Sequence, residues 1–223
     1  MLTEVRTAFV SSLTIVFCLT IPATFGLILL AEPIMAVIFE HGAFTSADTS
    51  ATATALSLYA TGLFAYSANK VIVPVFYAVN AARYPVIASF LAIAMNILII
   101  TFTIEQFQHK AIAFSTSATM VINFLFLMTI LYFKIGGYSV KQLVAGLVKI
   151  IAAGLVMCAF LIISYRYLGD LFQADFLVQC GTLAGFIVGG ALIYLLMLKV
   201  LSLPELNEIS TQFRQRLKRP DGH

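Results

Sequence analysis

The sequence predicts an all-α integral membrane protein with six transmembrane helices. Composition is the first reason. Of 223 residues, 61% are hydrophobic and 10% charged, and the mean hydropathy is +1.00. A soluble domain carries about 25% charged residues, so this chain has too few to cover a water-facing surface. The second reason is the length of the apolar runs, several of which reach the roughly 20 residues that a span needs. The third is pattern. Alternating strands of about 10 residues, the mark of a membrane barrel, are absent. Helices satisfy their own backbone and are therefore the spanning element.

The first run, 8–31, contains Pro22, which deletes a backbone hydrogen bond and predicts a kink. Glu32 and Pro33 are expected to end it. Residues 34–39 are too short to cross and are placed at the interface. The second run is 47–79, with Ser46 read as its cap and Asp48 as an acid suited to the helix dipole. As one straight helix it would reach about 50 Å, against a hydrocarbon core of roughly 30 Å. It must tilt, kink at Pro74, or project. Thr54, Ser57, Thr61, Ala65 and Ala68 fall on one seam of this run. Such a seam is either a close-packing face or one wall of a hydrated cavity.

The third run is 84–104, with Asn96 near its centre, and a short turn over 105–110 leads to the fourth, 111–133. There Thr116, Thr119 and Asn123 share a face, which suits either inter-helix hydrogen bonds or a cation held by neutral oxygens. The fifth and sixth runs are 143–165 and 176–199. Gly181, Gly185 and Gly189 make a doubled GxxxG, and its expected partner is the fifth run, where Gly146 and Gly154 lie on one side. The tail, 201–223, is basic, with a weak stripe of Leu206, Ile209, Phe213 and Leu217. It either lies on anionic lipid or is a solvated segment that fixes topology.

Six spans place both termini on one side. That side holds Arg6, Arg83, Lys134, Lys141, Lys199, Arg214, Arg216, Lys218 and Arg219, and the other holds Lys110 and Arg166. The bias predicts cytoplasmic termini. It puts the polar turn at 40–44 outside.

No catalytic constellation is visible. His41, His109 and His223 all lie outside the spans, and no carboxylate lies mid-span. Cys18, Cys158 and Cys180 are widely spaced in apolar runs, with neither a metal pattern nor a disulfide framework. The chain therefore reads as a transporter or membrane subunit, not an enzyme, with no metal and no nucleic-acid partner. Lys70 is the ion set well inside a span, and such charges usually face a cavity or a partner. It either snorkels or hydrogen-bonds structurally, or it meets an anionic substrate. Arg83 sits at the cytoplasmic mouth.

The stretch 39–85 is punctuated unlike the rest. It carries Phe39-Glu40-His41-Gly42-Ala43-Phe44, then Asp48-Thr49, then Tyr59-Ala60-Thr61-Gly62-Leu63, Lys70, Pro74 and Phe76-Tyr77-Ala78. This order of residues resembles the MurJ/MviN family of lipid II flippases, in the multidrug/oligosaccharidyl-lipid/polysaccharide exporter superfamily. His41 stands where arginine is commoner. The resemblance runs more loosely from about 13 to 132.

The resemblance implies a bacterial inner-membrane flippase for lipid II, the undecaprenyl-linked peptidoglycan precursor, and so a role in cell-wall biogenesis and cell shape. It implies the last part of a fourteen-helix fold. Residues 1–133 would be the last four helices of the second lobe. Residues 134–200 would be two added helices that form a lipid-tail groove, and 201–223 the cytoplasmic tail. About eight upstream helices would carry the first lobe and the cavity arginines, so the chain is expected not to flip lipid unaided; a truncated gene product and one half of a split gene with a separately encoded N-terminal half both stay open. Lys70, Arg83, Thr54, Ser57 and Thr61 are the cavity candidates. Some members hold sodium with an Asn, an Asp one turn later, and a backbone carbonyl and Thr from the next helix. The matching positions are Asn96, Ile112 and Thr116, with Ile100 in place of the acid. No other cofactor is implied, and Na⁺ or membrane-potential coupling stays open. So do an exporter of another polyprenyl-linked glycan or drug, and a non-transporting subunit.

Overall fold

The computed structural model describes residues 2–107 and 109–201. Among them eight helices follow in order: α1 Leu2–Leu29, α2 Ala31–Phe39, α3 Ser46–Thr61, α4 Leu63–Ala78, α5 Arg83–Phe107, α6 His109–Lys134, α7 Val140–Leu168 and α8 Phe176–Val200. A short 3-10 turn, Gly169–Gln173, joins α7 to α8. Five of these helices (α1, α5, α6, α7, α8) are long and apolar enough to cross a membrane. The run expected as the second span is instead two helices in series, α3 and α4, of 16 residues each. The basic tail and its amphipathic stripe lie outside the described residues.

α1 is the central post. On one flank Phe17 of α1, Phe64 of α4 and Phe124 of α6 form a ring cluster with centroids 6.0–6.3 Å apart. On the other flank α7 packs along α1, and α8 along α7. α5 lies mainly on α6 and is otherwise exposed, with Phe90, Ile93, Ile97 and Phe102 facing outward. Arg6 joins the ends. Its Nε donates to the Ile135 carbonyl at 2.8 Å, and its Nη2 donates to the same oxygen. That oxygen lies just past the C-terminal end of α6, where carbonyls lack helix partners, on the buried Ile135. Gly136 and Gly137, at φ +71° and +87°, then turn the chain into α7.

Pro22 stays inside α1. Having no N–H, it leaves the carbonyl four residues back, Cys18, without its helix donor. The buried Tyr194 hydroxyl of α8 donates to that oxygen at 2.7 Å.

Several expectations need correction. The first helix ends at Leu29, close to the expected end, but Glu32 and Pro33 open a new helix and sit in the first turn of α2, which follows α1 after Leu30. Proline is tolerated there because first-turn N–H groups have no helix acceptor. The cap of α3 is Thr45, not Ser46. The Thr45 hydroxyl lies 3.4 Å from the Asp48 N–H, and Asp48 Oδ2 accepts from the Thr45 N–H at 2.9 Å, a reciprocal capping box.

The long second span breaks at Gly62, while Pro74 lies within α4. Contact with α6 accounts for the position. A Cβ at 62 would lie 2.9 Å from Ser117 Cα, so only glycine admits α6 this closely. The Gly62 N–H turns to the Tyr59 carbonyl at 3.1 Å. The Leu58 carbonyl accepts instead from the Ser117 and Thr61 hydroxyls, each at 2.7 Å. A membrane interior demands such replacements.

The GxxxG expectation holds in part: α8 does pack on α7, but not through the whole glycine face. Gly181 and Gly185 have nothing within 4 Å of a built Cβ, and Gly189 meets Phe160 of α7. Gly146 and Gly154 instead face Thr14 and Phe25 of α1. Small residues permit close approach but do not say which neighbour arrives.

Candidate functional site

The punctuated stretch builds the outer corner of the bundle and one of its faces. At the corner, Gly42 at φ +63° turns the chain, and the Phe39 and Phe44 rings close the turn at 6.0 Å. Thr49 donates its hydroxyl to Glu40 Oε2 at 2.7 Å, tying the turn to α3. The His41 ring meets Phe176 edge-on at 5.5 Å, tying it to α8. Phe39, Gly42, Phe44 and Asp48 are thus brought together as a structural staple. At the other end Phe76 is fully buried and meets Tyr84 at 5.9 Å.

The cavity candidates do not converge on one point. Thr54 and Ser57 line a hollow of about 290 Å³ with Glu32 and Ser50. Thr61 borders an apolar cavity of about 430 Å³ with Thr24, Phe64 and Phe124. Ala65 and Ala68 are fully buried, so the inner half of the expected seam is a packing face. Lys70 is exposed on α4, with its Nζ 4.9 Å from the Tyr66 ring centroid. Tyr59, Tyr77 and Pro74 are exposed on these two helices as well. Arg83 is exposed and folds onto its chain neighbour: its guanidinium lies 4.9 Å from the Tyr84 centroid and donates to the Tyr84 hydroxyl at 3.1 Å.

The cation candidates lie on α5 and α6. The Thr116 hydroxyl donates to the Ile112 carbonyl at 2.8 Å, so those two oxygens are adjacent. Ser115 donates to the same carbonyl at 3.0 Å. Asn96 is half-buried on α5, beside α6. With Ile100 at the acidic position, the set is neutral and its carbonyl already accepts two hydroxyls, a poor fit to Na⁺. Among the described residues no group of three His, Cys, Asp or Glu could hold a metal.

Sequence reasoning missed Ser117, which carries the helix break. Its signal was a glycine in mid-span preceded by a hydroxyl, Thr61-Gly62, and a second hydroxyl on the neighbouring helix. It also missed how many buried oxygens lack a partner: Thr24 Oγ1, Asn69 Oδ1, Thr119 Oγ1 and Asn123 Oδ1. A second feature is an apolar groove of about 530 Å³ between α1, α7 and α8, with Pro22, Gly26, Phe186, Tyr194 and Leu195 in its wall.

The family model for the lipid II flippase MurJ matches residues 3–183. The chain belongs to the MurJ family. A "probable lipid II flippase MurJ" of Rickettsia prowazekii is 32% identical over 186 residues, covering 79% of this chain and 35% of the relative. One of Buchnera aphidicola subsp. Acyrthosiphon pisum is 36% identical over 152 residues, 68% of this chain and 30% of the relative. A solved lipid II flippase MurJ in an inward closed conformation superposes with TM-score 0.67 at 27% identity, covering 96% of this chain and 40% of that one. The chain thus spans about a third of the length of these curated MurJ relatives.

Proposed function

We propose that this chain is the C-terminal part of a lipid II flippase. It moves the undecaprenyl-linked peptidoglycan precursor from the inner to the outer leaflet by alternating access, jointly with N-terminal helices that it does not itself supply. The observation that carries the reading is the match to the family over residues 3–183, joined to a shared helix arrangement over 96% of the chain. Because the chain covers 40% of that structure, it moves no lipid alone. It lies in the bacterial cytoplasmic membrane with both termini inside, which the Lys and Arg bias supports.

Two features support a path for the substrate. Lys70 offers an ammonium to a diphosphate from the exposed face of α4. The groove between α1, α7 and α8 suits an isoprenoid tail: Tyr194 is the hydroxyl-bearing side chain in its wall, and that hydroxyl is spent on Cys18. The neutral oxygens around Asn96, Ile112 and Thr116 favour coupling to the membrane potential over Na⁺. Flux that rises with imposed potential and ignores a sodium gradient supports this; the reverse removes it.

Rescue in cells tests the function. Depleting a resident lipid II flippase leaves lipid II in the inner leaflet. Expression of this chain with complementary N-terminal helices restores outer-leaflet lipid II, and Lys70→Ala reduces the rescue. Rescue by the chain alone, or none by the pair, overturns the reading.

A further inference from the structure

The hydroxyl seam of α3 lines two hollows that share a wall residue. Ser50, Thr54 and Ser57 border the hollow that holds Glu32, and Thr61 borders the apolar cavity next to it. Ile28 of α1 borders both. The hollows are therefore adjacent parts of one cleft along α1. Phe17, Ile21, Thr24 and Ile28 line it at helical spacing and make one face of α1. The groove over α8 takes other residues of that helix, Cys18, Pro22 and Gly26 among them. The cleft is separate from that groove.

The cleft is graded in polarity. Its mouth holds a carboxylate, Glu32, exposed and with no ion pair among the described residues. Its floor is apolar, where the rings of Phe17, Phe64 and Phe124 meet. Between mouth and floor stands Thr24, 7% exposed, whose hydroxyl is buried and has no partner. Thr14 and Thr20 on the same helix each donate to the carbonyl four residues back, and Thr24 does not. An unspent hydroxyl in an apolar site is costly. Water is a poor partner for it, because a buried water needs about two to four polar contacts. The other polar side chain on the cavity wall, Thr61, already donates to the Leu58 carbonyl. What fits Thr24 is an apolar molecule that brings its own acceptor.

We propose that the cleft holds one phospholipid whose headgroup ends in a primary ammonium. The ammonium pairs with Glu32. The phosphate accepts from the Ser50 and Ser57 hydroxyls. An ester carbonyl accepts from Thr24, and the acyl chain behind it lies on the phenylalanine floor. The lengths agree. From Glu32 to Thr24 is about 12 Å at 1.5 Å per residue, and from Thr24 to Phe17 about 10 Å more. The first is the reach of an extended ethanolamine headgroup, and the second keeps the chain within a leaflet about 15 Å deep. The Lys and Arg bias puts Glu32 on the outer side, so the lipid belongs to the outer leaflet. The Glu32 carboxylate repels an anionic headgroup. The proposal stands apart from the flippase reading, because it concerns a resident lipid and not the cargo.

Lipid binding to the full chain in neutral detergent tests this, read by native mass spectrometry, with thermal melting as the check on the fold. The probes are phosphatidylethanolamine and phosphatidylglycerol with identical acyl chains. The chain should bind the ethanolamine lipid about fivefold more tightly. Glu32→Gln should abolish that preference and leave phosphatidylglycerol binding no weaker. Thr24→Val removes the hydroxyl and keeps the branched shape. It should weaken both lipids about fivefold, since both carry the ester. Without lipid it should melt no lower than the unaltered chain, because an unpaired buried hydroxyl is gone. Leu192→Ala, on the exposed face of α8, is the control and should change neither affinity. Equal binding of the two lipids by the unaltered chain overturns the proposal. So does a preference that survives Glu32→Gln, and so does undiminished binding of both lipids by Thr24→Val.

Discussion

Replacing Gly62 by alanine tests the close approach that breaks the long span. The added methyl would lie 2.9 Å from Ser117 Cα and 2.9 Å from Ser117 Oγ. The Oγ can rotate away, but the Cα is backbone, so α6 must move. Overpacking of this kind costs about 1–3 kcal/mol. Alanine returns about 1 kcal/mol of helix propensity relative to glycine. Gly62 has φ −89°, open to any residue, so no backbone strain enters. Net destabilisation is about 1 kcal/mol, the difference of those two effects. Gly181→Ala is the reference, because nothing lies within 4 Å of its built Cβ. It gains the propensity without the clash. The gap between the two variants therefore isolates the clash, about 1–3 kcal/mol. Reversible unfolding in mixed micelles, followed by far-UV circular dichroism, measures both. Adding Ser117→Ala to Gly62→Ala should restore little, since the clash with the α6 backbone remains. Equal stabilities for Gly62→Ala and Gly181→Ala would refute the reasoning.

Three further outcomes follow from the same kind of argument. Tyr194→Phe removes its hydroxyl's bond to the Cys18 carbonyl and should cost about 1–2 kcal/mol; adding Pro22→Ala supplies a backbone donor, and the double variant should recover most of the loss in the same unfolding assay. Arg6→Ala removes the donors to Ile135 at the end of α6, and should lower stability by about 1 kcal/mol, with Arg6→Lys recovering only part because it lacks the fork. Thr45→Ala removes the cap of α3 at a cost of about 1 kcal/mol. Because Thr45 lies in the outer corner, hydrogen exchange should quicken at Asp48 and Thr49 and stay unchanged in α6.

Apolar runs and punctuation were legible in the sequence because they are local. The spans at 84–104, 111–133, 143–165 and 176–199 fall inside α5, α6, α7 and α8, and Asp48 does serve the start of α3. The features that were not legible each depend on a second helix. Gly62 breaks the span where Ser117 arrives beside it, and Thr61-Gly62 is only half of that signal, because the other half sits on α6. Gly146 and Gly154 offered a smooth surface, and the side chains that filled it came from α1. The site was legible in part. Lys70 was identifiable from its charge, but Tyr66, whose ring its ammonium covers at 4.9 Å, was not. Thr54 and Ser57 shared a seam with Ala65 in the sequence, yet they border a separate hollow.

Lipid II translocation in proteoliposomes tests the central claim most directly. Three preparations are compared: this chain alone, the chain with complementary N-terminal helices of a MurJ relative, and that pair carrying Lys70→Ala. The pair should translocate lipid II, Lys70→Ala should cause a marked loss, and the chain alone should move none. Translocation by the chain alone, or by the Lys70→Ala pair at the full rate, would contradict the claim.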